Sequence, residues 1–552
     1  MESALDAPML ADSTDAQTPD GQPPLIKALL RPEAYPHPVE SVQLVETHIS
    51  WVLLTGMWAY KIKKPIDLGF VQAATFEQRL HYCREELRLN RRLAPDLYAA
   101  VDSVVGPAES ARILACDPDQ ARRNQQDLLE ATVRMHQFPS RSLLSNCLNE
   151  PLPDSCFEEL ADSLAQFHHQ AACAVSTGPL GTASAVIEPV QTNLLVLDQR
   201  TPKGPIHAAL ARHRTWTEQE SKRLSPRFQQ RLEAGAIREC HGDLHCGNIH
   251  RRADGKLEVF DAIDFNPGLR WIDPISEIAF LVMDLQVQQQ SGAGAILLNR
   301  WLECSGDYRA MDLWRWYFAY RAMVRAKVTA VRQDQQPNAT LMGRVSDYIE
   351  RAAQMEQPAK GGLVLMHGLS GSGKSTLSRF LVGALPALRV RSDLERARAF
   401  GRLPLQVGWR TDPDPYSAEV TAWLFEQRLP ELVESLLSSG FDVIVDATFL
   451  RRREREWMRL LAKRMDRATV ILHCQCSDAT ASTRIQQRQA LGRDPSEADC
   501  SVRERQKQWI EPLDSQEQAQ SVVFREGDRP SNLLPVLRAK LLGEPVAGDA
   551  SE

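Results

Sequence analysis

The sequence predicts two domains, an α+β domain followed by an α/β domain built on a parallel sheet. At 552 residues, the chain exceeds the roughly 250–300 residues at which a single hydrophobic core stops growing. Near residues 354–362 (QMEQPAKGG), helical periodicity gives way to a break marked by proline and glycine. Beyond that break, apolar strands alternate with helical segments, which is the pattern of a parallel sheet with crossover helices.

Periodicity and turn residues place the elements within these bounds. We expect a disordered leader at 1–24, a first domain at 25–353, a linker at 354–361, a second domain at 362–545 and a disordered tail at 546–552. In the first domain we expect a strand hairpin at 42–65 turning at Thr55-Gly56, a strand at 257–265, and helices at 76–93, 157–173, 273–290 and 310–332. In the second we expect strands at 363–367, 388–391, 442–446 and 468–474, with helices at 374–384 and 451–465.

The composition and net charge of the chain indicate no particular binding partner. The chain is 43% hydrophobic and 25% charged, with a net charge of -6 that gives no overall attraction to nucleic acid or to an anionic membrane. It has no run of about 18 apolar residues and no signal-like start, so we expect no membrane segment. Eleven scattered cysteines indicate reduced thiols and a cytoplasmic location. Oligomeric state is not encoded in these patterns.

A phosphate-binding loop opens the second domain. The segment from Gly368 to Ser375 (GLSGSGKS) fits G-x-x-x-x-G-K-[ST] and lies between an apolar strand and the helix KSTLSRFLVGAL. In such a loop the backbone N–H groups surround phosphate oxygens, the lysine reaches the β/γ-phosphates and the following hydroxyl ligates Mg²⁺. We therefore expect ATP to be bound by Gly368, Leu369, Ser370, Gly371, Ser372, Gly373, Lys374, Ser375 and Thr376.

Two carboxylates follow later strands of this domain. Asp393 and Asp446 fall at strand carboxyl ends, where ligands bind in open α/β sheets. This arrangement resembles the small P-loop kinase group of gluconate kinases, polynucleotide 5′-kinases and zeta-type toxins. The resemblance implies that Asp393 takes the acceptor proton and that Arg396 holds the acceptor or a phosphate. It also implies that Asp446, with Thr448, lies near the metal or the acceptor. Asp393 could also cap its helix, and the two roles do not exclude each other.

An arginine-rich segment resembles the lid of such kinases. Arg484, Arg488 and Arg493 occur in TRIQQRQALGRD, where closure would bring positive charge to the transition state and exclude water. The alternative for these arginines, and for 451–453, is a solvated charged helix face.

The first domain carries a second kinase-type motif. Asp243 and Asn248, in HGDLHCGNI, have the five-residue spacing of the kinase catalytic loop, in which the aspartate serves the acceptor hydroxyl and the asparagine ligates Mg²⁺. The motif resembles that of the aminoglycoside phosphotransferase and choline kinase superfamily, which implies a protein-kinase-like fold. The resemblance implies that Asp261 or Asp264 is the second metal ligand, equivalent to the aspartate of the kinase D-F-G motif. The length of the loop after Asn248 favours Asp261, whereas the sequence Ile-Asp-Phe favours Asp264.

The small-lobe residues of this first site are less distinct. Lys61, or else Lys63, could pair with nucleotide phosphates, with Glu86 or Glu85 as the helix partner. The alternative is a basic strand next to a charged helix. The Thr55-Gly56 turn contains no G-x-G-x-x-G loop, which departs from the kinase pattern. His168 and His169 are interpreted as structural.

The domain order resembles bacterial fusions of an aminoglycoside phosphotransferase-like domain with a C-terminal P-loop ATP-binding domain. It implies ATP and Mg²⁺ as cofactors and a two-headed kinase that phosphorylates small-molecule hydroxyl groups. A second hypothesis keeps only the P-loop domain active beside a regulatory or binding domain. A third makes the acceptor a nucleic-acid 5′-end, which the net charge does not support.

Overall fold

The computed structural model describes residues 21–67, 72–335, 339–357, 359–401, 417–491 and 499–542. The chain divides into two compact units, one comprising Met1–Ser163, Phe167–Gln288 and Trp316–Glu356, and the other Leu164–Gln166, Gln289–Arg315 and Gln357–Glu552. The predicted domains 25–353 and 362–545 stay a prediction, and this division assigns residues 289–315 to the second unit. The predicted leader up to residue 20, Arg493 and the predicted tail lie outside the described residues.

The first unit begins with a six-stranded antiparallel sheet in the order β1-β2-β3-β6-β4-β5. Its strands are β1 (Gln43–Glu46), β2 (Ser50–Leu54), β3 (Trp58–Lys63), β4 (Tyr98–Val105), β5 (Arg112–Leu114) and β6 (Leu128–His136). The predicted hairpin is confirmed: the N–H of Thr55 donates to the carbonyl of Trp58 at 2.9 Å, and Gly56 has φ 92°, which favours glycine. The register pairs Val52 with Lys61.

Four short strands and a series of helices complete the described elements of the first unit. The strands are β7 (Arg238–Glu239), β8 (Ile249–Arg251), β9 (Leu257–Val259) and β10 (Trp271–Ile272). The helices are α1 (Pro24–Leu29), α2 (Phe76–Asn90), α3 (Pro118–Arg123), α4 (Leu144–Cys147), α5 (Asp154–Gln170), α6 (Ala183–Arg200), α7 (Pro205–Glu233), α8 (Pro267–Arg270) and α9 (Pro274–Val287), then α10 (Ser291–Ser305) of the second unit, α11 (Trp314–Gln335) and α12 (Ala339–Ala353).

Helix α2 is fixed against the sheet. Thr75 and Gln78 form a reciprocal capping box at its start, which satisfies two N–H groups that the first turn leaves without helical partners. Leu80 and Cys83 are buried in a core shared with the sheet residues Val52 and Val133. A sheet lobe with one packed helix, followed by a helical lobe, is the protein-kinase-like arrangement that the sequence predicts.

One predicted strand is shorter than expected. The segment 257–265 forms a strand only from Leu257 to Val259, paired with β8. Asp261 has φ 65°, in the left-handed region, so the extended ladder cannot continue through it. Asp261 and Asp264 therefore follow β9 outside its ladder.

The second unit is built on a five-stranded sheet in the order β12-β13-β11-β14-β15, and every adjacent pair is parallel. Its strands are β11 (Leu363–His367), β12 (Leu388–Arg391), β13 (Val443–Asp446), β14 (Thr469–Gln475) and β15 (Ser521–Arg525). Its later helices are α13 (Lys374–Ala384), α14 (Ser392–Ala399), α15 (Ala418–Trp423), α16 (Leu429–Ser438), α17 (Arg452–Arg464), α18 (Asp478–Leu491), α19 (Cys500–Trp509), α20 (Ser515–Ala519) and α21 (Leu534–Leu542). The predicted α/β fold with a parallel sheet is confirmed.

Helix α10 covers the edge of this sheet at β12. The side-chain amide of Asn299 donates to the carbonyl of Ala387 at 2.9 Å and accepts from the N–H of Arg389 at 2.6 Å. A side chain thereby takes the place of a neighbouring strand on the outer edge of β12, where unpaired backbone groups would otherwise remain. Gly292 of α10 also lies against Gly383 of α13, where an added Cβ would stand 3.2 Å from the Gly383 carbonyl oxygen. Among the described helices, none combines the length and apolar character needed to cross a membrane.

Asn299→Ala is expected to destabilise the second unit by about 1–3 kcal/mol, because the buried N–H of Arg389 loses its acceptor. Urea unfolding with a probe in the second unit measures this change. The exposed Asn532 gives the control Asn532→Ala, which should change stability by no more than about 0.5 kcal/mol. Equal stabilities for the two variants would contradict the edge-covering role of Asn299.

Candidate active sites

The phosphate-binding loop of the second unit has the backbone geometry that an anion site needs. Gly368 and Gly371 have φ of 142° and 80°, conformations that L side chains rarely adopt. A Cβ at Gly371 would also stand 2.8 Å from the carbonyl oxygen of Ala481. Only glycine fits at Gly371, and a glycine-rich loop before a helix is the kind of segment that can surround phosphate oxygens with N–H groups.

Lys374 begins helix α13 and closes the loop. Its ammonium donates to the carbonyl of Leu369 at 2.9 Å, and burial lowers the pKa of this lysine. Within the described part of the chain, the buried hydroxyl of Ser372 has no hydrogen-bond partner. A buried cation and an orphaned hydroxyl beside a helix N-terminus fit the oxygens of a nucleotide phosphate.

Helix α19 supports the loop from the other side. The N–H of Ser370 donates to the side-chain oxygen of Gln506 at 2.8 Å, and Arg503 donates to the carbonyl of Ser370 at 2.5 Å. No short motif marks these two residues, and sequence reasoning did not find them. Their contacts follow only from the fold.

Asp446 ends β13 and lies within reach of the loop helix. One of its carboxylate oxygens accepts from the hydroxyl of Ser378 at 3.0 Å, and the Arg391 guanidinium lies 3.9 Å from the same oxygen. The N–H of Gly368 donates to the carbonyl of Thr448 at 3.2 Å, which ties the start of the loop to the segment after β13. The carboxyl end of β13 and the phosphate loop therefore form one edge, as the sequence predicts.

One cavity of about 800 Å³ brings most of the predicted residues together. Its described lining includes Gly371, Gly373, Lys374, Ser375, Thr376, Asp393, Arg396, Asp446, Thr448, Arg484 and Arg488. Two exposed tryptophans, Trp457 and Trp509, also line it. The volume is in the range of ligand pockets in general.

Helix α14 carries Asp393 and Arg396 into this cavity. The helix begins after Arg391 without a side-chain cap bond, so the interpretation of Asp393 as a helix cap is wrong. Arg396 is buried and donates to the hydroxyl of Thr421 at 3.3 Å. Both side chains are therefore placed by one turn of α14.

The predicted lid arginines of the described chain also face the cavity. Arg484 donates to the carbonyl of Gly371 at 3.5 Å and, like Arg488, lies on α18. Arg451 and Arg453 line the cavity too, whereas Arg452 pairs with Asp514 at 2.9 Å on the exposed side. Arg451, Arg452, Arg453 and Arg484 are all exposed, so the alternative of a solvated helix face stays a prediction for them.

A histidine precedes the phosphate loop and stays uncharged. Burial, with the nearby positive groups of His473 and Arg455, lowers the pKa of His367 to about 4. Its ring N–H donates to the carbonyl of Phe449 at 3.1 Å. His367 therefore joins the end of β11 to the segment that follows β13 in its neutral form.

The stability of the second unit should fall as the pH drops from about 6.5 to about 4. The unfolded chain binds a proton at His367 near its ordinary pKa of about 6.5, while the folded chain binds it only near 4. Protons therefore favour unfolding, by up to about 3 kcal/mol below both pKa values. Unfolding free energies measured from pH 7 to pH 4 should show a weaker pH dependence in His367→Phe. The exposed His81 provides the control His81→Gln, which should retain the wild-type slope; an unchanged slope in His367→Phe contradicts the prediction.

In the first unit, the predicted catalytic loop is held by its own side chains. The amide of Asn248 donates to the Asp243 carboxylate at 2.9 Å and to the Asp243 carbonyl at 3.0 Å. The ring of His241 donates to the carbonyl of Phe260 at 2.8 Å, and its other nitrogen accepts from the N–H of Asp243 at 3.2 Å. In the described chain, the other carboxylate oxygen of Asp243 is buried without a hydrogen-bond partner. An orphaned carboxylate oxygen fits a proton acceptor for a substrate hydroxyl.

Helix α9 contacts the catalytic loop through Glu277. Glu277 accepts from the N–H of Gly242 at 2.7 Å and from the ring of His168 at 2.7 Å. His168 is buried, and Glu277 joins it to the N–H of Gly242. These contacts support the structural interpretation of His168.

Both candidate lysines meet the same glutamate. Glu86 lies 2.9 Å from the ammonium of Lys61 and 2.6 Å from that of Lys63, because the two lysines share one face of β3. Glu85 instead pairs with Arg88 at 2.8 Å and with Arg270. The lysine–glutamate pair expected of a kinase small lobe is therefore present, with Glu86 as its helix member.

The two candidate aspartates divide between the two lysines. Asp261 lies 2.6 Å from Lys61, and Asp264 pairs with Lys63. The Asp261 side chain is 26% exposed and that of Asp264 only 5%. Burial opposes ionisation at both carboxyls, but the Lys61 ammonium outweighs it and lowers the pKa of Asp261, while burial prevails and raises the pKa of Asp264. Asp261 is thus the more accessible and more readily ionised of the two.

The folds and these two sites define a chain that joins a protein-kinase-like unit to a P-loop unit. Residues 363–513 match the family model described as an AAA domain. An uncharacterized protein of Mycobacterium tuberculosis is 29% identical over 480 residues, covering 86% of this chain and 92% of that protein.

Two solved structures are each similar to a part of the chain. A choline/ethanolamine kinase family protein from Mesorhizobium loti matches with 12% identity over 60% of this chain and 93% of that chain, with a TM-score of 0.37. A gluconokinase from Sinorhizobium meliloti matches with 19% identity over 34% of this chain and 93% of that chain, with a TM-score of 0.22.

Proposed function

We propose that the chain is an ATP-dependent phosphotransferase with two sites, each of which transfers the γ-phosphoryl group of ATP to a hydroxyl of a small molecule. The observation that carries this proposal is the cavity of the second unit, which Lys374, Asp393 and Asp446 line together. A phosphate-binding cation, a proton acceptor and a metal-type carboxylate around one space are the parts that phosphoryl transfer needs.

In the second unit, the loop and Lys374 hold the nucleotide phosphates, and Asp393 accepts the proton of the acceptor hydroxyl. The acceptor oxygen forms a bond to the γ-phosphorus as the bond to the β,γ-bridging oxygen breaks, and ADP leaves with that electron pair. Arg396, Arg484 and Arg488 stabilise the negative charge on the transferred group. The hydroxyl of Ser375 and the carboxylate of Asp446 would hold Mg²⁺, which when bound neutralises phosphate charge.

In the first unit, Asp243 accepts the proton and Lys61 pairs with the nucleotide phosphates while Glu86 positions it. Asn248 donates its amide N–H groups to Asp243, so its carbonyl oxygen is the atom that could ligate a metal beside Asp261. Oxygen donors of this kind suit Mg²⁺. The pair of Lys63 and Asp264 then acts as a buried support for the site.

A second candidate function keeps only the P-loop site active. The Thr55-Gly56 turn has no glycine-rich loop to cover phosphates, and Lys61 contacts Asp261 directly at 2.6 Å. In that case the first unit serves as a binding or regulatory module, and the chain has a single phosphoryl-transfer activity.

Single-site variants separate these functions. Lys374→Ala should remove phosphorylation by the second unit and Asp243→Asn that by the first, each by at least about 100-fold, because positioned charges and proton acceptors contribute at this scale. The measurement is transfer from labelled ATP to a panel of neutral sugars, sugar phosphates, nucleosides and nucleotides.

The exposed residues Lys360 and Asp254 supply the matched controls Lys360→Ala and Asp254→Asn, which should keep wild-type rates. If Asp243→Asn retains transfer to every acceptor that the wild type uses, the single-site function stands and the two-site proposal fails. If Lys374→Ala also retains full transfer, neither function is correct.

Asp261→Asn and Asp264→Asn should fail in different ways. The first should raise the Mg²⁺ concentration needed for half-maximal activity of the first unit, because it removes the accessible carboxylate. The second should chiefly lower the melting temperature, because Lys63 is then buried with less compensating charge. Mg²⁺ titration of activity and thermal unfolding measure the two effects, and the reverse assignment would show that Asp264 is the metal ligand.

A further inference from the structure

A buried glutamate of α10 lies behind the site of the second unit. Glu303 accepts from the Arg389 guanidinium at 2.8 Å through Nε, and the Nη2 atom of Arg389 lies 2.6 Å from the same carboxylate oxygen. The side chain of Glu303 is 1% exposed and that of Arg389 9% exposed. Because water cannot solvate either charge at this depth, the carboxylate of Glu303 and the guanidinium of Arg389 hold each other in position.

Arg389 connects this glutamate to the proposed metal-binding edge. Its Nη1 atom donates to the hydroxyl of Ser378 at 3.3 Å and to the carbonyl of Ser375 at 3.4 Å. The hydroxyl of Ser378 in turn lies 3.0 Å from a carboxylate oxygen of Asp446, to which it donates. A continuous series of polar contacts therefore runs from Glu303 to both Asp446 and the residue Ser375.

A second guanidinium repeats the arrangement on the same strand. Arg391 lies 3.9 Å from the other oxygen of Glu303 and 3.9 Å from Asp446, so it stands between the two carboxylates. Side chains two residues apart on a strand share a face, which places Arg389 and Arg391 together against α10. Without Glu303, two buried cations would compete for the single carboxylate of Asp446 and draw it away from the cavity.

We propose that Glu303 is a positioning residue for the metal site of the second unit, holding Arg389 and Arg391 so that Asp446 and Ser375 present their oxygens to Mg²⁺. This inference rests on the proposed function of Asp446 and Ser375. The groups that orient metal ligands typically change metal affinity or activity by about 10–100-fold when they are removed. With this role for Glu303, the segment 289–315 contributes to the second active site. That segment precedes the phosphate loop in the chain and is separated from it by α11 and α12.

The test is Glu303→Gln in the full chain, which keeps the shape of the side chain and removes its charge. The dissociation constant for Mn²⁺ in the presence of ATP, measured by electron paramagnetic resonance, should rise about 10–100-fold. Lys374-dependent phosphoryl transfer should need correspondingly more Mg²⁺, with kcat at saturating metal changed less than the metal requirement. Asp446→Asn should raise the same dissociation constant and serves as the reference.

Two further variants distinguish a loss of helix packing from a loss of the Glu303 charge. Asn299→Ala loosens the same helix on the same strand but keeps the Glu303 charge, so its Mn²⁺ affinity should equal that of the wild type at a temperature where both are folded. In an Arg389→Gln background, Glu303→Gln should have a smaller effect than in the wild type, because Arg389, the nearer of the two cations that Glu303 holds, is gone.

The outcomes separate this inference from the proposed function. If Asp446→Asn weakens Mn²⁺ binding and Glu303→Gln does not, the positioning role is wrong while the metal site stands. If Asn299→Ala weakens it as much as Glu303→Gln, the helix matters only for packing and the inference is overturned. If neither Asp446→Asn nor Lys374→Ala has any effect on metal binding or transfer, the proposed function itself fails.

Discussion

The pairing of buried cations with buried carboxylates is the constraint on which both candidate sites depend. A group that binds phosphate must be positive and shielded from water, yet an isolated buried charge is strongly unfavourable. In the first unit, Glu86 and two aspartates compensate Lys61 and Lys63. In the second, Glu303 compensates Arg389. Each site is thereby built as a charged network before any phosphate is present.

The two loops are supported by different groups. The loop of the first unit is held by Glu277 and Asp284 of α9, which accept from the N–H groups of Gly242 and Cys246, and by Arg321, which donates to the carbonyl of Gly242. The loop of the second unit rests on its own glycines and on Gln506 and Arg503 of α19. Each loop is therefore supported by side chains of a helix that follows it in the chain.

The sequence predicted most of what is local. Strands β11 and β12 and helix α13 fall where periodicity placed them, and the residues from Gly368 to Ser375 form the loop that their spacing indicates. The choice between Lys61 and Lys63 could not be made from sequence, because both share a strand face and both contact Glu86. The sequence also left Asp261 and Asp264 as alternatives, because the difference in exposure between them follows from the fold and not from their spacing.

The sequence did not predict contacts between residues that are far apart along the chain. Glu303 lies in a helix with no motif, far along the chain from Arg389, and only the fold brings them together. A signal was nonetheless present on the strand side. The two arginines of β12 (LRVR) occur in a fully buried strand, and buried arginines require acidic partners from some other segment. That requirement identifies the kind of residue that was missing, although not its position.

The edge contact made by Asn299 has a consequence for how the chain is made. Residues 289–315 are synthesised before α11 and α12 of the first unit and well before β12, the strand that they cover. During synthesis α10 is therefore made before the sheet on which it packs. The first unit is complete only after α11 and α12, which follow residues 289–315, have been synthesised. The second unit is therefore interleaved with the first in the order of translation, and a second-unit product that begins at the 354–361 segment would leave the β12 edge of its sheet open to aggregation.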